Sequence, residues 1–382
     1  MAANVVATKP LPAKIPNGPT TPRMNPRVLV VRLGAMGDIL HALPAVAMLR
    51  RAMPEAHVGW VVEQRWRPLL CAPEVELSGP VRPGRPLLDD LHLVDTRAWR
   101  KSPFNFAVRR ELLAALHQLR AGHYDSALDL QGAIKSALLA RLAGAGPVLG
   151  FSRPREAPAR YLYQSVADVR APHVIGQNME LVQSWLRQLG QPPATAEDLP
   201  TGAALLPRHL PSETRIATLL DSIGLARSPF AILNPGAGWA AKQWSPSRYG
   251  ELAIHLSDRG LPSIINYGPG EKHLAERVAA YSDGRALALS TTISELIALA
   301  GRAHLFVAGD TGPMHLAALL GVKTIALFGP TDPARNGPYW PSARLLRHPA
   351  SVTSYSHKRT LDPGLEQLSV GRVLQEVDSL LA

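Results

Sequence analysis

Gly309-Asp310-Thr311-Gly312-Pro313 joins two apolar segments in a way that suits a phosphate group. Before it, Leu305-Phe306-Val307-Ala308 is the short apolar run of a buried parallel strand. After it, Leu316, Leu319 and Leu320 are spaced as the apolar stripe of a helix that ends at Gly321. Small residues and free backbone N–H groups therefore fall where a helix begins, which is a natural seat for phosphate. A second strand, Thr324 to Phe328, leads into Gly329-Pro330-Thr331-Asp332-Pro333. The whole unit reads as the phosphate-holding half of a nucleotide-sugar site.

Other residues with chemical potential stand at similar turns, and each has an ordinary reading beside the functional one. Asp38 follows Gly37 at the start of a helix, where Asp is a favoured N-cap and where the helix dipole favours an anion. Lys242 comes after the turn Asn234-Pro235-Gly236-Ala237-Gly238, and a lysine there is most simply solvated. Glu271, after Gly268-Pro269-Gly270, could grip ribose hydroxyls or merely open a helix. His315 could be a core histidine or a ligand contact. A carboxylate repels a phosphate, so Asp310 is expected to orient its loop or meet sugar hydroxyls.

The elements that must hold these residues alternate strand and helix. Arg27–Val31, His57–Val62, Leu91–Asp95, Tyr124–Leu130 and Val148–Phe151 read as strands of a first half. Thr96 to Phe104 reads as a basic aromatic loop, and Val108–Leu119 and His173–Leu189 as helices. Pro44 predicts an irregular or late start to the first helix. In the second half, Phe230–Leu233, Ser263–Tyr267 and the strands around Asp310 each end in a glycine-bearing turn before a helix, the pattern of a doubly wound sheet with ligands at its C-terminal edge. The division predicted is a basic, proline-rich tail over 1–26, taken as disordered; a first domain over 27–190; a linker over 191–211; and a second domain over 212–382. The last helix, Val370–Leu381, has no strand after it and is a candidate to pack back across the first domain.

A chain of 382 residues accommodates two α/β domains, and its longest apolar runs are strand-sized. One cysteine, Cys71, excludes an internal disulfide and a cysteine-built metal site. The net charge of +11 is concentrated in the first half and favours anionic partners: phosphorylated substrates or lipid headgroups ahead of nucleic acid, since no aromatic-interleaved binding motif accompanies it. No G-x-G-x-x-G with a following acidic residue supports a nicotinamide-dependent dehydrogenase.

Taken in order, Met36-Gly37-Asp38-Ile39-Leu40-His41-Ala42-Leu43-Pro44, Trp99-Arg100-Lys101, Gln131-Gly132-Ala133-Ile134-Lys135-Ser136, Arg155-Glu156, Lys242-Gln243-Trp244, Gly309-Asp310-Thr311-Gly312 with His315, and Gly329-Pro330-Thr331-Asp332-Pro333 resemble the ADP-heptose lipopolysaccharide heptosyltransferases of glycosyltransferase family 9. The resemblance runs from Arg27 to residue 335. Its first-half motifs are most like the type I enzymes, whereas the turn at Asn234 is closer to type II.

This resemblance implies a GT-B fold, two Rossmann-like doubly wound domains facing a central cleft. It implies inverting transfer of L-glycero-D-manno-heptose from ADP-heptose to a Kdo residue of Kdo2-lipid A, with neither cofactor nor metal, at the cytoplasmic face of the inner membrane. A type II enzyme, or another member adding a later core heptose, is the alternative; a non-enzymatic binder of anionic lipid or nucleic acid is the rival from another class. Under the resemblance Asp38 is the general base and Lys242 steadies the departing diphosphate. Gly37, Gly236, Glu271, Asp310, Thr311, Gly312 and His315 line the donor, and Arg100, Lys101, Lys135 and Arg155 take the phosphates and carboxylates of the acceptor.

Overall fold

The computed structural model describes residues 25–193, 202–354 and 361–382. The predicted tail, apart from residues 25 and 26, and the middle of the predicted linker lie outside the described residues.

Among the described residues, twelve strands form two separate sheets. The first holds β1 (Arg27–Val31), β2 (His57–Glu63), β3 (Asp90–Val94), β4 (Ser126–Asp129), β5 (Val148–Phe151) and β6 (Ser165–Ala167). The second holds β7 (Ala231–Asn234), β8 (Ser263–Tyr267), β9 (Ala286–Ser290), β10 (Leu305–Gly309), β11 (Lys323–Phe328) and β12 (Ala343–Arg347). The spatial orders are β3-β2-β1-β4-β5-β6 and β12-β11-β10-β7-β8-β9, and every pairing is parallel. Counted within its own half, each is the doubly wound order 3-2-1-4-5-6, whose direction reverses between the first and fourth strands. The reversals fall at β1/β4 and at β7/β10. Central strands such as β1, β4, β7 and β10 are buried on both faces, which explains their nearly unbroken apolar sequences.

The helices are α1 (Met36–Ala52), α2 (Thr96–Lys101), α3 (Phe106–Ala121), α4 (Ile134–Leu142), α5 (Val174–Gln188), α6 (Leu210–Ser222), α7 (Pro246–Asp258), α8 (Lys272–Tyr281), α9 (Ile293–Ala300), α10 (Gly312–Leu319), α11 (Pro333–Asn336), α12 (Pro363–Gln367) and α13 (Val370–Leu381). None is long and apolar enough to cross a membrane among the described residues.

The two halves share an apolar core. Leu40 and Leu43 of α1 belong to the same buried cluster as Met314, Leu316 and Leu319 of α10 and Phe306 of β10. α1 is packed between α5 and α10, so the two sheets are joined through helices that begin at their reversal points.

Four expectations are corrected. Pro44 neither delays nor ends α1, which runs through it. A proline lacks the N–H that would close the ladder there, and nearby the carbonyl of His41 accepts from Asn178 Nδ2 of α5 at 3.0 Å. Thr96 to Lys101 is a helix, not loop, because the Asp95 carboxylate accepts from Ala98 N at 2.8 Å and caps it. The helix opening the second half, expected after Ser212, begins at Leu210 with Pro211 in its first turn, where a missing N–H costs nothing. The last helix, α13, packs on α7, β11 and β12 of the second half rather than on the first: Val370, Val373, Leu374 and Val377 share a cluster with Leu252, Ile325 and Leu327.

Candidate active site

Both reversal points present turns, small residues and helix N-termini at the C-terminal edge of their sheets. From β1, Arg32 turns inward and is 6% exposed. Its Nη2 lies 2.7 Å from Asp38 Oδ1, its Nη1 donates to the Leu130 carbonyl beyond β4, and its own carbonyl accepts from Trp60 Nε1 at 3.0 Å. Asp38 stands in the first turn of α1, and its Oδ2 also accepts from Ala35 N at 3.1 Å. About a third of its side chain remains open to solvent. Asp38 thus does what a capping residue does while keeping an accessible carboxylate oxygen surface.

The first turn of α1 meets the first turn of α10. A Cβ on Gly37 would lie 2.9 Å from His315 Cδ2, and one on Gly312 would lie 2.6 Å from Met36 Cγ. Glycine at both positions is what lets two helix N-termini converge. Deeper in this contact, His41 Nε2 is 3.1 Å from His315 Nδ1, and His315 Nε2 is 3.3 Å from Asp310 Oδ1. Asp310 Oδ2 in turn holds Lys242 Nζ at 2.5 Å, and that ammonium sits 4.8 Å from the centre of the Trp239 ring.

Burial alone would raise the Asp310 carboxyl, but the His315 hydrogen bond and the Lys242 charge override it and hold the group well below the usual carboxylate range. Burial, then the neighbouring His315 and His173, push His41 well below its ordinary value, so it is a neutral imidazole. With Asp310 anionic, His315 Nε2–H donates to it, and one proton lies between His41 Nε2 and His315 Nδ1.

Thr311 is the N-cap of α10 but makes no side-chain cap; its hydroxyl turns back to the Gly309 carbonyl at 3.2 Å. The N–H groups of Gly312 and Met314 in the first turn of α10 are therefore without a side-chain cap. On the next strands, Asn234 ends β7 and accepts from Asn266 Nδ2 at 2.7 Å, and Thr291 donates to Asn266 Oδ1 at 2.6 Å. The Glu271 carboxylate accepts from Gly268 N at 3.0 Å and occupies the space a Cβ on Gly236 would need. Gly236 and Glu271 are thus brought together at the ends of β7 and β8, one strand from the Asp310 turn.

Across the first sheet, Asp129 ends β4 and is fully buried. It accepts from Gln131 N at 2.9 Å, Gly132 N at 3.2 Å, Ser136 Oγ at 2.9 Å and Tyr163 Oη at 2.8 Å. Burial raises its carboxyl despite these bonds. This knot fixes the Gln131-Gly132 turn, and Gln131 Oε1 reaches back to Leu33 N at 2.8 Å. Lys135, half exposed at the start of α4, donates to Thr96 Oγ1 at 3.3 Å and lies 3.7 Å from Glu63 Oε1. Glu156 caps the same helix through Ile134 N at 2.9 Å. Arg100 and Lys101 on α2, and Arg155 beside the Gly132 turn, are exposed.

Of the sequence candidates, Gly37, Asp38, Lys242, Asp310, Gly312 and His315 therefore form one contiguous group. Glu271 and Gly236 flank it, and the acceptor candidates form a looser basic rim along the first sheet's edge. Arg32, His41 and Asp129 were not singled out. The available signal was the spacing of Asp38 and His41, one helical turn apart. Among the described residues no group of three or more His, Cys, Asp or Glu side chains is placed to hold a metal.

Residues 112–362 match glycosyltransferase family 9 (heptosyltransferase). Lipopolysaccharide heptosyltransferase 1 of Pseudomonas aeruginosa is 30% identical over 317 residues, covering 82% of this chain and 81% of that protein. Lipopolysaccharide heptosyltransferase 2 of Escherichia coli K12 is 27% identical, covering 93% of this chain and 98% of that one. Among solved structures, the E. coli heptosyltransferase WaaC with ADP superimposes with a TM-score of 0.73 at 25% identity, over 93% of this chain and 99% of that one. Two parallel Rossmann-like domains, converging helix N-termini and these likenesses lead to one assignment: the chain belongs to glycosyltransferase family 9, the heptosyltransferases, and is a GT-B glycosyltransferase.

Proposed function

We propose that this enzyme transfers heptose from ADP-heptose, with inversion, to a Kdo residue of Kdo2-lipid A in lipopolysaccharide inner-core synthesis, working at the cytoplasmic face of the inner membrane. The observation that carries the reading is the contact of Gly37 with His315. It brings the first turn of α1, which carries Asp38, against the first turn of α10, next to the Asp310 that holds Lys242.

In the reaction the acceptor hydroxyl attacks the anomeric carbon from the face opposite ADP. Its proton passes to Asp38, and the bond from the anomeric carbon to the diphosphate oxygen breaks with its electron pair leaving on ADP. Asp38 is fixed by Arg32, which keeps its carboxylate aimed rather than free to rotate. The charge that grows on the leaving diphosphate meets the Lys242 ammonium and the uncapped amides of α10, both in place before the reaction starts. Lysine carries three N–H donors, so Lys242 can hold Asp310 and still offer two to phosphate. In this reading Glu271, over Gly236, takes the donor's ribose hydroxyls, and Arg100, Lys101, Lys135 and Arg155 take acceptor anions.

Incubation with ADP-heptose and either Kdo2-lipid A or the same acceptor already carrying one heptose tests the assignment. Product from the first acceptor alone is expected. Product only from the second would make the enzyme type II, the reading favoured by the Asn234 turn. Asp38→Ala should abolish turnover while ADP still binds, and retained turnover would remove Asp38 from its role.

A further inference from the structure

The α2–α3 spur gathers large apolar side chains that lie outside. Phe104 is 91% exposed, Phe106 80% and Leu113 66%, and Leu119 is the only buried residue of α3. Phe106, Arg109, Arg110, Leu113 and His117 share one face of α3 by their spacing. The aromatic pair is held outward, not left loose: Asn105, between the two, caps α3 by accepting from Ala107 N at 2.9 Å and Val108 N at 3.3 Å.

The charge on the spur is predominantly positive. From Thr96 to Ala121 there are six cations, Arg97, Arg100, Lys101, Arg109, Arg110 and Arg120, against one acid, Glu111. Apolar rings interleaved with cations on an exposed helix match a bilayer interface, where rings sit at headgroup depth and cations meet lipid phosphates. A second copy of the same face would set cation against cation, so self-association is disfavoured. The spur follows β3 at the C-terminal edge of the first sheet. It is tied there by Thr96, which donates to Glu63 and accepts from Lys135.

We propose that the α2–α3 spur is a membrane-docking face that seats Phe104, Phe106 and Leu113 among the headgroups of an anionic bilayer, with Arg109 and Arg110 on the lipid phosphates. Its consequence for catalysis rests on the function proposed above: a lipid-borne acceptor would be presented to the basic rim along the same edge.

The test is co-sedimentation of the full chain with vesicles of phosphatidylethanolamine and phosphatidylglycerol, against vesicles of phosphatidylcholine alone. Binding to the anionic vesicles, weakened by salt, is expected. Phe104→Ser/Phe106→Ser/Leu113→Ser should lower the partition coefficient at least about 30-fold through lost apolar burial. Arg109→Glu/Arg110→Glu should lower it about 10-fold or more. All five positions are exposed, so both variants should keep the wild-type melting temperature. Transfer to a deacylated, water-soluble acceptor should also be unchanged. Equal binding by the triple variant, equal binding to phosphatidylcholine, or a dimer that the triple substitution disperses would overturn the docking face. Vesicle binding without transfer to any acceptor would instead count against the proposed function and leave the docking face standing.

Discussion

His41 Nε2 lies 3.1 Å from His315 Nδ1, and this bond joins the first helix of one sheet to the fourth-strand helix of the other. It is the innermost link of a chain that continues through Asp310 to Lys242. A group in the first half of the protein thereby sets the orientation of a cation in the second. Because His41 is neutral and His315 is 3% exposed, neither ring can turn to water for a replacement partner.

His41→Ala should therefore cost about 1–3 kcal/mol of stability, the usual penalty for leaving a buried polar partner unsatisfied. It should also slow turnover while ADP affinity stays near wild type, since Lys242 loses the anchor of its aim but keeps its charge. A double-mutant cycle with His315→Ala checks the link: coupling of about 0.5–3 kcal/mol is expected for groups in contact. Additive losses would mean the two rings do not share a bond.

A second buried histidine gives a pH dependence. His92 Nε2 is 2.7 Å from Tyr124 Oη, which donates to Asp90 Oδ2 at 3.2 Å. Burial pushes His92 down to about 4, overriding the Asp90 charge that would raise it. Between its ordinary value of 6.5 and 4, the unfolded chain takes up a proton that the folded protein refuses. Stability should thus fall as pH falls through that window, by at most about 1.4 kcal/mol per pH unit for this group. Burial would raise Asp90, but the His57 hydrogen bond and charge hold it at about 2. Its contribution is lost only below its ordinary 3.8, outside the window. Melting curves of wild type and His92→Gln should diverge in their pH slopes above pH 4, the variant's being shallower; parallel slopes would place the proton on His92 in the folded state.

The parts of this architecture that could be read from sequence are those whose residues carry their reason locally. β1, β4, β7 and β10 are buried on both faces and so are apolar throughout, and the turns after them need small residues for close approach. The edge strands β6, β9 and β12 escaped notice, since an edge needs only one partner and tolerates sequences such as Ala343-Arg344-Leu345-Leu346-Arg347. Asp38, Lys242 and Asp310 stood at recognisable turns. The pairing that organises them did not show, because His41 and His315 are 274 positions apart and a single sequence holds no trace of that contact. Arg32 carries no local sign of its role, which comes from turning inward to Asp38.

Arg32 predicts a difference between two conservative-looking changes. Its guanidinium spans the Leu130 carbonyl and Asp38 at once, which a planar fork can do and a single ammonium cannot. Arg32→Lys should lower kcat about 10-fold or more while ADP affinity stays near wild type. Asp38→Asn, which removes the proton acceptor itself, should lower kcat by about 10²–10⁴-fold. Steady-state kinetics with ADP titration separates the two. If Arg32→Lys weakened ADP binding as strongly as it slowed turnover, the residue would be serving the donor pocket instead of Asp38.

Lys242 and Asp310 form an enclosed ion pair, with side chains 14% and 7% exposed. Removing one partner of such a pair leaves the other charge buried, and losses of about 3–5 kcal/mol are usual. The two deletions should nevertheless differ. Lys242→Met takes away the cation but leaves Asp310 a hydrogen bond from His315, so the loss of stability is partly offset, while ADP affinity and kcat both fall. Asp310→Asn keeps the cation and loosens its aim; it should bind ADP at least as tightly as wild type, since a competing anion is gone, yet turn over slowly. Calorimetric ADP titrations beside melting curves resolve these outcomes. Equal loss of ADP affinity in both variants would show that the pair acts as a structural unit and that Lys242 makes no phosphate contact of its own.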